Sequence, residues 1–227
     1  MLERMGVDVW RARGAETEAS LPAEVAAVEQ AASVAVAELD WPALAARVAA
    51  CTRCELSESR TQTVFGVGDR HARCLVIGEA PGAEEDQRGE PFVGRAGALL
   101  NAMLAAIGLA REAVFIANIL KCRPPSNRDP KPAEVSACSA YLERQIALIQ
   151  PTIILAVGRI AAQNLLKVDT PIGRMRGHLH HYGERSIPVV VTYHPAYLLR
   201  SPGEKRKAWD DLRLALATYR EREASCP

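Results

Sequence analysis

Residues 75–104 constrain this chain more than any other stretch. The apolar run Cys74 to Ile77 is short, β-branched at Val76 and Ile77, and closed by Gly78, as a strand buried on both faces should be. Pro81, Gly82, Gly89 and the acidic residues Glu79, Glu84, Glu85 and Asp86 then predict a long loop. Apolar periodicity resumes at Ala96, Leu99, Leu100, Met103, Leu104 and Ile107, the signature of an amphipathic helix. Strand, long loop and helix in that order belong to an open α/β sheet, where ligands bind beyond the carboxyl ends of the strands. Phe92 stands in that loop, and a large ring there is either a plug on the core or a platform for a flat ligand.

Three more apolar runs repeat the pattern. Ala113 to Leu120 predicts a second strand with one polar residue, Asn118, near its carboxyl end; a buried amide there must be satisfied by backbone or by a ligand. The prolines that follow predict an extended loop carrying Lys121, Arg123, Arg128 and Lys131, and Pro132 opens a helix to 149. Thr152 to Val157 and Ile187 to Thr192 supply the third and fourth strands, and a helix from 203 to 221 closes the chain with Trp209, Leu212, Leu216 and Tyr219 inward. Four strands alternating with helices imply a three-layer α/β/α fold around a central four-stranded parallel sheet. Residues 168–186, with Arg174, Arg176 and His178, read as a loop or short hairpin with a basic face. Gly66 and Gly68 precede the first strand instead of following it, so they read as a turn and not as a nucleotide fingerprint.

Ahead of this body, residues 1–40 form an arm, with no periodicity to 20 and a thin helical face from 22 to 39. Asp40 is placed to cap a helix that delivers the chain into Cys51, so the domain spans 41–222 and leaves 223–227 as a tail. The first 50 residues carry 4 Lys+Arg against 8 Asp+Glu, and the rest 24 against 19, a mild positive excess that permits nucleic acid as a partner. No run approaches the length of a membrane span and no signal core is visible, so a cytoplasmic protein is expected. In that compartment cysteines serve as metal ligands or buried thiols more often than as disulfides. Cys51 and Cys54 form a C-x2-C, Cys122 and Cys138 flank the Pro-rich loop, Cys74 falls inside a strand and Cys226 in the tail. Four thiols so spaced suit zinc or an iron-sulfur cluster equally.

Three strand-end motifs line up: Gly78 to Gly82, Asn118 with Lys121 to Pro125, and His194 to Arg200. Together they resemble the uracil-DNA glycosylase superfamily, and with the four cysteines its iron-sulfur branch, family 4 of bacteria and archaea. The resemblance spans about residues 45 to 221. It implies a DNA repair glycosylase that flips uracil out of DNA, hydrolyses its glycosidic bond and releases free uracil, working as a monomer without a membrane. Cys51, Cys54, Cys122 and Cys138 would hold a 4Fe-4S cluster. Phe92 would stack on the base, Asn118 would read its N3 and O4 edge, and His194 would stabilise the departing anion at O2, with Gly78, Glu79, Ala80 and Glu85 completing the substrate site. Arg123, Tyr197 and Arg200 would grip DNA. The best-known branch of the superfamily has an aspartate where Ala80 stands and a tyrosine where Gly82 stands. Water orientation then falls to Glu79 and thymine exclusion to Glu85. Ala80 also leaves open a second class, a non-catalytic DNA-binding module.

Overall fold

The computed structural model describes residues 36–224. The expected disorder of residues 1–20, most of the helix expected over 22–39, and Cys226 lie outside them. Helix α1 (Trp41–Ala49) starts as its sequence demands: the Asp40 carboxylate accepts from the Ala43 N–H at 2.9 Å, Pro42 sits in the first turn, and Leu44 and Val48, one turn apart, are buried. A short helix, α2 (Leu56–Ser59), follows the C-x2-C.

The four expected strands all form, as β2 (Cys74–Gly78), β3 (Phe115–Asn118), β4 (Ile153–Val157) and β6 (Ile187–Thr192), in spatial order β3-β2-β4-β6 with every pairing parallel. The sheet is nevertheless six-stranded and mixed. Two short antiparallel strands close its edges: β1 (Val67–Gly68) on β3, and β5 (Leu179–Tyr182) in a hairpin with β6. The segment read as a turn around Gly66 and Gly68 is therefore partly an edge strand, too short for any periodicity to reveal. Of the two readings for 168–186, the hairpin forms, preceded by a short helix, α7 (Ile172–Met175).

Alternation along the central strands divides the core into two faces. Leu75, Ile77, Ile154, Ala156, Val189 and Val191 face α5 (Pro132–Ile149) and α6 (Arg159–Leu166). Cys74, Val76, Ile153, Leu155 and Val190 face α4 (Arg95–Ala106), α8 (Pro195–Arg200) and α9 (Lys205–Ala224). This is the expected three-layer arrangement. A third cluster gathers Val36, Leu44, Val48, Leu56, Leu120 and Tyr141 around the cysteines.

Two expectations are corrected here. The long loop after β2 contains a helix, α3 (Ala83–Arg88), whose acidic first turn (Glu84, Glu85, Asp86) suits the positive end of a helix. Trp209 does not point inward with Leu212; it lies on the outer face of α9, 42 % exposed. Leu216 and Tyr219 pack at the margin of the second core face. Among the described residues no helix is long and apolar enough to cross a membrane.

Candidate active site and cysteine centre

β2 and β3 leave the sheet side by side, with β6 beyond β4, and their carboxyl-end loops surround a cavity of about 440 Å³. The first loop supplies Glu79, Ala80, Gly82, Glu85 and Phe92, the second Asn118, and the third His194, Tyr197 and Arg200. All of these were singled out from the sequence. Pro81, Ala96, Pro124, Asn127, Arg128, Asp129 and Ala196 complete the wall; of these, Asn127 and Asp129 were not named from the sequence, and Ala96 and Arg128 were read only as a helix position and a loop charge. The loop that brings Asn127 and Asp129 here was expected to be extended, but the Pro124–Pro125 pair continues into a single 3-10 turn (Pro125–Asn127).

Phe92 is 7 % exposed, belongs to the core face under α4, and still lines the cavity, so it packs as a plug while one side of it meets the cavity. Its backbone lies in the left-handed region at φ 54°, a rare conformation for a bulky residue and a kind of strain that gathers at functional sites. Asn118 is 2 % exposed, and its Oδ1 is buried without a hydrogen-bond partner. Oδ1 is thus an unfilled acceptor at the cavity wall, of a kind that costs about 1–3 kcal/mol to leave empty. Gly78 does not line the cavity but permits its floor. A Cβ there would stand 2.4 Å from Asn118 Oδ1 and 2.8 Å from the Phe92 ring.

His194 caps α8, its Nδ1 accepting from the Ala196 N–H at 3.1 Å. Its pKa is lowered to about 4, chiefly because burial disfavours the cation and secondly because Arg200 repels it, with Glu85 opposing weakly. The imidazole is thus neutral near pH 7, and with Nδ1 accepting, its single proton is on Nε2. The ring lies 5.6 Å from that of Phe92, tilted by 32°. A neutral ring of this kind donates one hydrogen bond without introducing a charge.

Glu79 is half-buried at the cavity edge, and its pKa is pushed up to about 7, first by loss of solvent, then by the negative Asp129, against the pull of Arg159. Desolvation of this sort poises a carboxylate as a base near neutral pH. Glu85 is used differently. One oxygen accepts from Gly82 N–H at 3.1 Å, the other from Val93 N–H at 3.0 Å and Gly94 N–H at 3.2 Å, so the carboxylate pins the loop on both sides of Phe92.

At the mouth, Tyr197 is 37 % exposed and Arg200 is exposed, while Arg123 stays outside the cavity and bonds Asn127 Oδ1 at 2.8 Å. The basic loop expected after β3 is largely spent on internal pairs. Lys121 is 1 % exposed, its Nζ donating to Asn118 O at 2.9 Å and Gln145 Oε1 at 2.6 Å; Arg128 is forked onto Glu134, and Lys131 reaches Glu55.

Cys51, Cys54, Cys122 and Cys138 converge in the third cluster, all unpaired. Two receive N–H donors at sulfur: Arg60 Nη1 to Cys122 at 3.1 Å and the Lys121 backbone N–H to Cys138 at 3.3 Å. Donors aimed at sulfur suit thiolate ligands of a cluster. Burial first, then the neighbouring Cys122 and Cys51, push the Cys138 thiol up to about 12 against the pull of Lys121, and a bound cation would favour the thiolate at neutral pH. Among the described residues no group of three or more His, Cys, Asp or Glu is arranged for a metal ion. Thiolates around one zinc would lie about 3.8 Å apart, from Zn–S bonds of about 2.3 Å in a tetrahedron. Four thiols gathered in one buried cluster are a donor set that suits either a zinc ion or an iron-sulfur cluster.

Comparison with known proteins agrees with this geometry. The family profile described as "Uracil DNA glycosylase superfamily" matches residues 65–213, which include all three cavity loops. The chain is 47 % identical over 161 residues to the type-4 uracil-DNA glycosylase of Archaeoglobus fulgidus, covering 68 % of this chain and 81 % of the relative. It is 43 % identical over 173 residues to that of Sulfurisphaera tokodaii (73 % and 79 % covered) and 44 % identical over 158 residues to that of Thermotoga maritima (68 % and 81 %). Profile, relatives and cavity lead to one conclusion: the chain belongs to the uracil DNA glycosylase superfamily.

Proposed function

We propose that this protein is a DNA repair glycosylase that hydrolyses the bond between uracil and deoxyribose, leaving an abasic site and free uracil. The observation that carries the reading is the buried, unpartnered Oδ1 of Asn118, set in one cavity with the Phe92 ring and a neutral His194. Uracil flipped from the duplex presents a flat face, an N3–H donor and two carbonyl acceptors. Phe92 stacks on the face; Asn118 accepts from N3–H and donates to O4; His194 Nε2–H donates to O2. As the C1′–N1 bond breaks, its electron pair moves into the ring and charge gathers at O2. A fixed neutral donor gains strength there more than in the ground state, typically by about 3–4 kcal/mol. Glu79 in its ionised form orients water toward C1′ and takes its proton as the new C–O bond forms. Glu85 acts through the loop it pins, which sets the wall that excludes the thymine methyl. Gly78, Ala80 and Gly82 keep that wall thin.

Arg123, Tyr197 and Arg200 contact the DNA strand beside the mouth, which makes affinity fall with salt. Cys51, Cys54, Cys122 and Cys138 are the residues that would hold a 4Fe-4S cluster, whose chemistry here is that of a staple between the start of the domain and the loop after β3. On this reading the protein works as a cytoplasmic monomer, and its catalytic unit extends a little beyond the expected 41–222, from Val36, packed beside the cysteines, to the end of α9 at Ala224. Incubation with a uracil-containing oligonucleotide followed by alkali tests the reading. Strand cleavage at the uracil position is expected; binding without any alkali-labile site would instead describe a non-catalytic DNA-binding module.

A further inference from the structure

The geometry points to Arg111 as a positioning residue that holds Phe92 as the stacking platform, a role that rests on the uracil-excision reading above. Arg111 opens the 3-10 turn before β3 and lies outside the cavity. Its side chain is only 17 % exposed, and its guanidinium serves three acceptors: Nη2 donates to Pro91 O at 2.7 Å and Glu90 Oε1 at 2.9 Å, and Nη1 to Asn101 Oδ1 on α4 at 3.0 Å. The residue it grips through the backbone is the immediate predecessor of Phe92.

The need for such a grip follows from the conformation it holds. A phenylalanine at φ 54° is strained and persists only where its surroundings over-determine it. Three restraints do so. Arg111 fixes the chain before Phe92, the Glu85 carboxylate fixes Val93 and Gly94 after it, and Gly97 lies beneath. A Cβ at Gly97 would fall 1.8 Å from the Phe92 carbonyl oxygen, so that oxygen occupies space only glycine leaves free. Of these restraints, the Arg111 fork is the one that joins the loop to α4 from outside the pocket. Without it, Glu90 and Pro91 lose their anchor, the φ of Phe92 relaxes to negative values, and the ring swings off the site where the base stacks.

The test is a double-mutant cycle on the full chain. Single-turnover uracil excision is measured for wild type, Arg111→Met, Phe92→Ala and the double variant, alongside DNA affinity and melting temperature. Arg111→Met is expected to lose about tenfold, within the range of one base stack, with DNA affinity unchanged. In the Phe92→Ala background the same change is expected to cost nothing further. Arg111→Lys, which cannot reach all three acceptors at once, should recover only part of the loss. Hydrogen exchange gives a readout independent of catalysis: Arg111→Met should raise exchange at Val93 and Gly94 while the β2 and β4 amides stay protected. Losses that multiply in the double variant, or a wild-type rate and wild-type exchange in Arg111→Met, would overturn the assignment. If the wild type itself excises no uracil, the functional reading falls, and exchange at Val93 and Gly94 still decides whether Arg111 holds the loop.

Discussion

Removing the titration of Glu79 should abolish the pH dependence of excision around neutrality. Its carboxyl is shifted from 4.5 to about 7, mainly by burial. If the ionised form is the active base, its population is about 9 % at pH 6 and about 91 % at pH 8, so the single-turnover rate should rise about tenfold between them. An unshifted carboxylate would already be about 97 % ionised at pH 6, and the rate would be flat. Stability runs the other way. Because the folded protein favours the neutral acid, the stabilising contribution of this group is complete below pH 4.5 and lost as pH rises through 7. Excision from a uracil oligonucleotide, read by alkaline cleavage at saturating enzyme from pH 5 to 8.5, should show this rising limb in wild type. Glu79→Gln should give a lower, flat profile, because His194, with its pKa near 4, does not titrate in that window. A flat wild-type profile would remove Glu79 as the base. A limb surviving in Glu79→Gln would assign the titration to another group.

Other changes probe the rest of the site. Gly78→Ala places a methyl against Asn118 Oδ1 and the Phe92 ring, so excision should fall at least 100-fold, as expected when a site is displaced by about an ångström, while circular dichroism stays that of the wild type. Cys122→Ala should cost the purified protein its brown colour and its solubility together, and colourless wild type with one equivalent of zinc would refute the cluster. Asn118→Asp keeps an acceptor for N3–H but repels O4 and the departing anion. Uracil excision should drop steeply, and its ratio to cytosine excision should narrow from the 10⁴ or more that mismatched buried polar groups allow; an unchanged ratio at wild-type rate would remove Asn118 from base reading.

What could be read from the chain follows the physics of each element. β2, β3, β4 and β6 are buried on both faces, so they appear as unbroken apolar runs, and their ends were placed within about two residues, the usual uncertainty for element boundaries. β1 has two residues, one of them glycine, and β5 alternates between exposed and half-buried positions with two histidines at its centre, so neither stands out. α3 was hidden because its apolar content is nearly nil and its stability comes from acidic residues at its start and from Glu85 tying the loop. The convergence of Phe92, Asn118 and His194 was legible because strand ends gather at one sheet edge and the motifs name a family. Lys121 was misplaced because charge alone does not show that a lysine is folded back onto a carbonyl and a glutamine. Nor does sequence reveal a positive φ at a phenylalanine, or the space beneath Gly97 that accepts its carbonyl.

The central claim is that a neutral His194, protonated on Nε2, stabilises uracil as it leaves. Single-turnover excision by His194→Ala, measured beside its affinity for the same uracil oligonucleotide, tests it most directly. The account predicts a rate lower by about 100- to 1000-fold, the size of one oxyanion-type donor, with DNA affinity nearly unchanged. A collapse in affinity with the rate per bound complex preserved would contradict it, and would make His194 a DNA contact instead.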